Sequence, residues 1–410
     1  MVSVREGWVE TTLGQVATRV VGRTPSRKIA NYWTADTTYP FFTIADMSHR
    51  HVTAGREGVT EQAIADGQAK RVPAGSLLLS FKLTIGKVVI TDREVYPNEA
   101  IAWIRPNATV LQDFLALALE NVNWDRLGGQ AVKGKTLNKT SLDAVELLLP
   151  PIEKQHRIVD LMASLDDTLE AAVAARSASE AQIEQLSYQV LPALGTGKTP
   201  LSDAFSRSIG GVWGQSKGEG DIDVVAFRST EFSDWGDVVH KEPAVRSITH
   251  REHSTRALEP GDILVEKSGG TPTRPVGRVV QFHKHDLQAP SIGTNFMQIV
   301  RPEPAQINAR YAYWLLWANH RRGGSVIHQK ASTNIRNLQT KAYLQQGVDL
   351  PTLTEQEETA GLLDAALDVR TNLNRHIDGL RDLRANLLMA LLSGEHEIPE
   401  SYDDIREATS

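Results

Sequence analysis

The chain has 410 residues, 44 Lys+Arg against 50 Asp+Glu, a formal net charge of −6 and no cysteine. That length suits two to three domains, each able to bury its own core; zero cysteines exclude disulfides and Cys-ligated zinc or iron–sulfur centres. No run of about 18 apolar residues occurs, and Met1-Val2-Ser3-Val4-Arg5-Glu6 lacks a charged-then-apolar signal pattern, so a soluble cytoplasmic protein is expected.

Residues 1–150 read as a mixed α/β block. Leu77-Leu78-Leu79, Lys87-Val88-Val89-Ile90 and Ala100-Ile101-Ala102-Trp103-Ile104 are strand-like aliphatic runs, and Leu111, Phe114, Leu115, Ala118, Leu119 and Val122 mark one face of a short helix. From Ile152 to about Leu191, Ile158, Leu161, Met162, Leu165, Leu169, Val173, Ile183, Leu186 and Val190 form a helical stripe, closed by Pro192, Gly195 and Gly197. The segment Gly195-Thr196-Gly197-Lys198-Thr199 looks like the end of a phosphate-binding loop. The earlier glycine that motif needs is Pro192, which makes the segment a linker.

The second half repeats the first. Val72-Pro73-Ala74-Gly75-Ser76-Leu77 returns as Leu258-Glu259-Pro260-Gly261-Asp262-Ile263, Ile85-Gly86-Lys87-Val88 as Val276-Gly277-Arg278-Val279, and Leu149-Pro150-Pro151-Ile152 as Leu350-Pro351-Thr352-Leu353. Strands are expected at Ile263-Leu264-Val265, Arg278-Val279-Val280 and Phe296-Met297-Gln298-Ile299-Val300, and a helix from about Ile307 to Ala318. A final helix from about Glu355 to Leu392 carries Leu362, Leu363, Leu367, Leu373, Ile377, Leu380, Leu383, Leu387 and Leu391, with Thr354 and Glu357 as its capping box. A period near 200 residues is a tandem of whole domains rather than a solenoid. At about 1.5 Å per residue each long helix is roughly 60 Å, too long for one block to cover, so an antiparallel pair is expected. The alternative is that each helix caps only its own domain.

Lys+Arg against Asp+Glu is 17 to 15 in residues 1–150, 4 to 7 in 151–198, 18 to 15 in 199–350 and 5 to 13 in 351–410. The blocks are mildly basic and the helices with the tail acidic. Basic, polar loops recur in both copies. Block one offers Arg23, Thr24, Ser26, Arg27, Lys28, Lys82, Thr84, Lys133, Lys135 and Asn138; block two offers Lys267, Ser268, Thr271, Thr273, Arg274, Lys330, Thr333, Asn334 and Arg336. Such side chains bond phosphates, and Arg, Lys and Asn also read base edges, although solvated surface has the same composition. Asp262 with Glu266-Lys267 only faintly suggests a nuclease spacing, His283 and His285 lack a metal-ligand framework, and no dinucleotide, zinc-protease or serine-hydrolase motif is present. No catalytic residue, metal or cofactor site is therefore expected.

Gly22-Arg23-Thr24-Pro25-Ser26 with Asn31-Tyr32-Trp33, the Pro73-Ala74-Gly75 and Pro260-Gly261-Asp262 turns, the duplicated Leu-Pro…Gln helix openings, and Leu391-Leu392-Ser393-Gly394-Glu395 together resemble the DNA-specificity subunit of type I restriction–modification systems. Arg23 stands where the family has a second glycine, Lys154-Gln155 where it has Glu-Gln, and block two shows no clear counterpart of the first loop. The resemblance implies an α+β fold in which two mixed α/β target-recognition domains are separated by two long antiparallel helices, a pseudo-two-fold internal repeat. The divisions are 1–150, 151–194 (first helix), 195–350, 351–394 (second helix) and a disordered acidic tail, 395–410. It further implies a non-catalytic subunit reading an asymmetric bipartite double-stranded DNA site for phage defence. Two methyltransferase subunits and a restriction/translocase subunit would bind it, with S-adenosylmethionine, ATP and Mg held by those partners. A recognition component of another modification system, or a scaffold with two non-DNA binding domains, are the rival readings.

Overall fold

The computed structural model describes residues 7–47, 51–52, 55–127, 137–238, 244–286, 289–332 and 335–403. The backbone falls into two compact units, Met1–Ala171 with Ile377–Ser410, and Ala172–His376. Each core includes part of both long helices, so a division at the helix ends would strip each unit of one wall.

In unit 1, β1 (Ala17–Val21), β2 (Leu77–Ser80), β3 (Val88–Thr91) and β4 (Ile101–Pro106) form a sheet in the order β1-β4-β2-β3, antiparallel throughout, with His51–Val52 added in parallel at the β3 edge. Both faces of β2 and β3 are covered, which is why these strands read as aliphatic runs, while the edge strand β1 is half-exposed. Leu77, Leu79, Ile90, Ala102 and Ile104 face the helix α1 (Gln112–Glu120). Leu78, Val89 and Ile101 face Phe42, Met47, Val72 and Val95. A two-stranded ladder, Val9–Thr12 with Glu146–Leu149, leads into α2 (Ile152–Val190).

Unit 2 repeats the plan. β5 (Phe205–Gly210), β6 (Ile263–Glu266), β8 (Val279–Gln281) and β9 (Met297–Pro302) form an antiparallel sheet in the order β5-β9-β6-β8, with β7 (Ser268–Gly270) in a separate small sheet. Ile263, Val265, Val279 and Val300 pack on α3 (Ala309–Arg321), and Leu264, Val280, Met297 and Ile299 on Phe227 and Phe282. The small sheet holds β7 with β10 (Gln329–Ser332) and β11 (Ile335–Leu338) in the order β7-β11-β10. Thr199–Pro200 pairs with Gly347–Val348 ahead of α4 (Leu353–Leu392). Gly195 and Gly197 both donate to the Gly347 carbonyl, and the Lys198 amide donates to Asp349, so these three amides tie the linker to the end of the second block.

The same side chain ties each long helix to its unit. Gln155, 1% exposed, accepts from the Leu111 amide at 2.8 Å and donates to the carbonyls of Thr109 (3.2 Å) and Pro150 (3.0 Å). Gln356, also 1% exposed, accepts from the Asn308 amide at 2.8 Å and donates to Gln306 (3.4 Å) and Pro351 (2.9 Å). One amide group thereby pairs the backbone at a strand end, a loop and the start of a short helix, groups that would otherwise be buried unpaired. Lys154 meets Glu397 at 2.9 Å instead, which is how the first helix accommodates lysine beside its glutamine.

The helices run antiparallel within each unit. In unit 1 Arg384 pairs with Asp166 while Leu388, Leu391 and Leu392 join Ile158 and Met162. In unit 2 Arg370 pairs with Glu180 at 2.9 Å, and Ala360 and Leu363 join Ile183 and Leu191. The apolar stripe read on α4 is too broad: Leu362 and Leu383 are half-exposed, because a two-helix seam uses a narrower face than a helix buried on three sides. The capping box also lies two residues earlier than expected. Thr352 and Glu355 cap each other, at 2.8 Å from the Thr352 amide to the Glu355 carboxylate and 3.3 Å in return. The acidic tail is not free along its described part. Asp403 accepts a bidentate pair from Arg157, its shortest contact 2.7 Å, and Ile398 packs on the unit 1 core; residues 404–410 lie outside the described residues.

Replacing Gln155 by leucine keeps the volume but leaves the Leu111 amide and two carbonyls without this partner. A buried unpaired group costs about 1–3 kcal/mol, so Gln155→Leu is expected to lower unfolding free energy by about 3 kcal/mol in urea titrations. A change below about 0.5 kcal/mol would show that the tie is not structural.

Candidate nucleic-acid interface

In unit 1 the loops singled out by sequence meet around Glu99. The backbone turns back at Gly22, whose amide donates to Ile101 and whose Cα faces the Pro97 and Asn98 carbonyls so closely that a Cβ would lie 2.3 and 2.2 Å from them. Arg23 follows with its amide on Pro97 and its guanidinium on the Gly67 carbonyl, 3.0 Å. The Thr24 hydroxyl donates to Glu99 and, against partial burial, holds that carboxyl below its usual range, with the Lys82 charge a smaller contribution. Lys82 and Thr84 lie in the β2–β3 turn, where the Phe81 amide donates to Ala100 and its carbonyl accepts from Leu137, both at 3.0 Å.

Arg27 is a brace as much as a surface charge. Its guanidinium makes two bonds to Glu57, 2.8 and 2.5 Å, and stacks 3.4 Å from the Trp33 ring. These bonds hold the Glu57 carboxyl below its usual range. Trp33 in turn donates to the Ser26 carbonyl at 3.3 Å, so the Gly22–Lys28 loop is folded onto its own downstream Tyr-Trp. Asn138 likewise has a local task, accepting from the Ser141 amide at 2.8 Å as the N-cap of the helix Lys139–Asp143. Lys28 is exposed and its ammonium has no partner among the described residues. Lys133 and Lys135 lie outside the described residues.

In unit 2 two loops 60 residues apart in sequence become one sheet. Ser268 opposes Asn337, and its hydroxyl bonds that side chain at 2.5 Å; Lys330 also opposes Asn337, from the other edge. Arg336 lies opposite Gly270 and Ala331. Thr271 and Arg274 close a tight turn, with the Thr271 hydroxyl 3.2 Å from that of Thr273 and 3.1 Å from the Arg274 amide. The side chains of Arg274, Lys330 and Arg336 have no partner among the described residues. Lys267 is half-buried, and burial pushes its ammonium below the usual value, with the nearby Arg256 charge acting in the same direction. Thr333 and Asn334 lie outside the described residues.

The two sites share their wiring. Lys267 occupies the place of Phe81, its amide donating to Phe296 and its carbonyl accepting from Leu338, both at 2.8 Å. Gly211 occupies the place of Gly22: its amide donates to Met297, and a Cβ would lie 2.1 Å from the Gly293 carbonyl. Block two therefore has a counterpart of the first loop, which sequence comparison misses because only the glycine is required by the close approach. The next residue but one is Trp213, on which Arg246 stacks at 4.6 Å, a second pair that the sequence does not reveal. The Gly210-Gly211 doublet was the available signal.

The residues weighed for catalysis are engaged otherwise. Asp262 accepts two bonds from Arg301 at 2.7 Å, and Glu266 forms a buried pair with Arg278 at 3.0 Å. The His283 and His285 rings stack at 5.6 Å, and among the described residues no group of three or more His, Asp or Glu side chains is placed to hold a metal ion. No helix among them is long and apolar enough to cross a membrane.

Residues 5–176 match the Type I restriction modification DNA specificity domain. The match spans the first block and part of the first long helix, less than half of the chain, and marks a similarity to type I specificity subunits. The chain is 27% identical over 164 residues to the type I restriction enzyme MjaIX specificity subunit of Methanocaldococcus jannaschii, covering 38% of this chain and 37% of that protein. It is 24% identical over 197 residues to the EcoR124I/EcoR124II specificity subunit of Escherichia coli, covering 46% and 48%. The chain thus aligns with half or less of the length of these relatives. The fold is shared more widely: a chain from a structure on complex assembly and conformational transition of the type I R-M system superposes with a TM-score of 0.64 at 16% identity, covering 96% of this chain and 99% of that one. The type I S subunit from M. genitalium gives 0.52 at 11%, covering 96% and 97%.

The unit 2 loops rest on a neutral histidine. His320 lies beneath Gly277, its Nδ1 3.0 Å from the Ser325 hydroxyl, and burial pushes its pKa down to about 4. The folded-state value is below the unfolded one of about 6.5, so its contribution is complete above pH 6.5 and is lost as pH falls from there toward 4. Between pH 7.5 and 4.5 His320 is expected to cost the fold about 2–3 kcal/mol that a His320→Asn variant does not lose. Urea unfolding across that range measures the difference, and identical slopes would contradict it.

Proposed function

We propose that this chain is the non-catalytic DNA-recognition subunit of a type I restriction–modification complex, each unit reading one half of an asymmetric bipartite duplex site. The observation that carries this reading is the duplicated wiring: in both units the first loop, the central-sheet turn and a later basic segment are tied to equivalent backbone atoms. Arg and Lys side chains without partners among the described residues lie in those loops. Phosphate contacts position a protein and base contacts specify, and two different loop sets on one scaffold suit two different half-sites. Methylation and cleavage, with S-adenosylmethionine, ATP and Mg, belong in this reading to two methyltransferase subunits and a restriction/translocase subunit. Exposed apolar side chains on α4, Leu362 and Val369 in unit 2 and Leu383 and Met389 in unit 1, support the docking of such partners.

Electrophoretic shifts across a salt series test the interface. Lys28→Ala, Lys82→Ala and Lys330→Ala should each weaken binding to all sequences and reduce the salt slope by about one unit, whereas Arg336→Ala should cost about 1–3 kcal/mol and relax one position. Unchanged affinity and specificity in the combined variant would misplace the face, and salt-insensitive behaviour of the whole complex would favour a scaffold.

The helices would then set the gap between half-sites. Inserting Ala-Ala-Ala-Ala after Ala175 and after Leu373 adds roughly 6 Å to each helix, or one to two base pairs at about 3.4 Å each. Methylome sequencing of a strain carrying the insertions should show a gap wider by that amount with both half-sites unchanged. An active variant with the original gap, or with an altered half-site, would remove the ruler.

A further inference from the structure

Leu83 stands apart among the described residues: it alone, glycines excepted, has a left-handed backbone, φ 63°, and its side chain is 71% exposed. A left-handed conformation brings the Cβ of any residue but glycine against its own backbone, and an exposed leucine recovers none of that strain by burial. Glycine or asparagine at this position would relax the turn. Neither folding nor solubility accounts for leucine here, so the side chain gains only where something else takes it out of water.

The seat beneath Leu83 is stiff. Ser80, fully buried, donates its hydroxyl to the Thr84 carbonyl at 2.6 Å and accepts from the Lys87 amide at 2.9 Å, while the Gly86 amide donates to the Ser80 carbonyl at 2.9 Å. Gly86, itself left-handed at φ 90°, lies so close to Trp124 that a Cβ would fall 2.2 Å from the ring. The apolar tip is flanked in sequence by Lys82 and Thr84, both of phosphate-bonding type. An apolar interior bordered on both sides by phosphates is the description of a duplex base stack.

We infer that Leu83 is a wedge that enters between two base pairs of the half-site read by unit 1, with Lys82 and Thr84 on the adjoining phosphates. This rests on the DNA-recognition reading above. Opening a base step works against stacking, and a side chain whose backbone cannot recoil is suited to it; leucine is among the residues used this way. The equivalent turn of unit 2 runs Lys267-Ser268-Gly269-Gly270-Thr271-Pro272-Thr273-Arg274-Pro275 without a large aliphatic or aromatic residue. The distortion therefore belongs to one half-site alone.

The test uses the full chain assembled with its methyltransferase partner and duplexes carrying the methylation-mapped site, with 2-aminopurine placed singly through both half-sites except at the methylated bases. The wild type should raise fluorescence at least about twofold at one step of the unit 1 half-site and nowhere in the other. Leu83→Gly, which removes the wedge and the backbone strain together, should fold with an unchanged or higher melting temperature, lose that signal and bind at least about fivefold more weakly. Leu83→Met should keep the signal. A signal that persists in Leu83→Gly, site-specific binding by the wild type with no enhanced step, or loss of partner assembly in place of the DNA signal would each overturn the wedge. Absence of salt-sensitive DNA binding by the wild-type complex would instead remove the recognition reading on which it stands.

Discussion

Buried backbone must be paired, and in this chain one side chain per unit discharges that requirement at the point where sheet, short helix and long helix meet. Gln155 and Gln356 each bond one amide and two carbonyls from within the first turn of a long helix. A glutamine offers donor and acceptor on one planar group, whereas glutamate has no donor and lysine no acceptor. The neighbouring position meets other partners in each unit, and it is lysine in α2, paired with Glu397, and glutamate in α4, boxed with Thr352. With α1 and α3 held in this way, the sheets behind them are placed, and the loops at the sheet turns have a fixed base.

Charge is distributed by the same logic. Arginines in or near the cores find carboxylates: Arg278 with Glu266, Arg301 with Asp262, Arg384 with Asp166, Arg370 with Glu180. These pairs neutralise charge where desolvation is expensive. What remains on the loops is cationic side chains such as Lys28, Arg274, Lys330 and Arg336, and the half-buried Lys267 beside Arg256. A protein with a net charge of −6 can therefore still offer local positive surfaces.

The architecture was legible because periodicity and repetition are properties of the chain itself. Aliphatic runs located three of the four antiparallel strands of each central sheet, while Ala17–Val21 and Phe205–Gly210, half-exposed strands with polar residues among the apolar ones, carried no such run; the recurrence of Leu-Pro…Gln located both long helices. The site was legible in part. Basic loops could be named, but whether a charge is free depends on residues far away: Arg27 looked available until Glu57 and Trp33 were seen to hold it. Gly211 escaped notice because its counterpart of the Gly22 loop keeps a backbone constraint and none of the side chains around it. The capping box was misplaced by two residues because Thr-x-x-Glu occurs twice in succession, at Thr352–Glu355 and Thr354–Glu357, and only the actual helix start decides between them. Leu362 and Leu383 matched the helical period, yet period alone does not say how wide a buried face is.

The pattern of what is retained and what varies has a physical reason. Phe81 and Lys267 occupy one wiring position through backbone atoms alone, so their side chains are free to differ, and they differ completely. At the adjacent position Ser80 braces its turn by a hydroxyl, while Glu266 braces the other by an ion pair with Arg278. Main-chain bonds hold each turn irrespective of side-chain identity, and each unit then completes the support with its own chemistry. A scaffold supported in this way separates stability from the loop residues it presents, which lets two copies of one fold carry unrelated surfaces in a single chain.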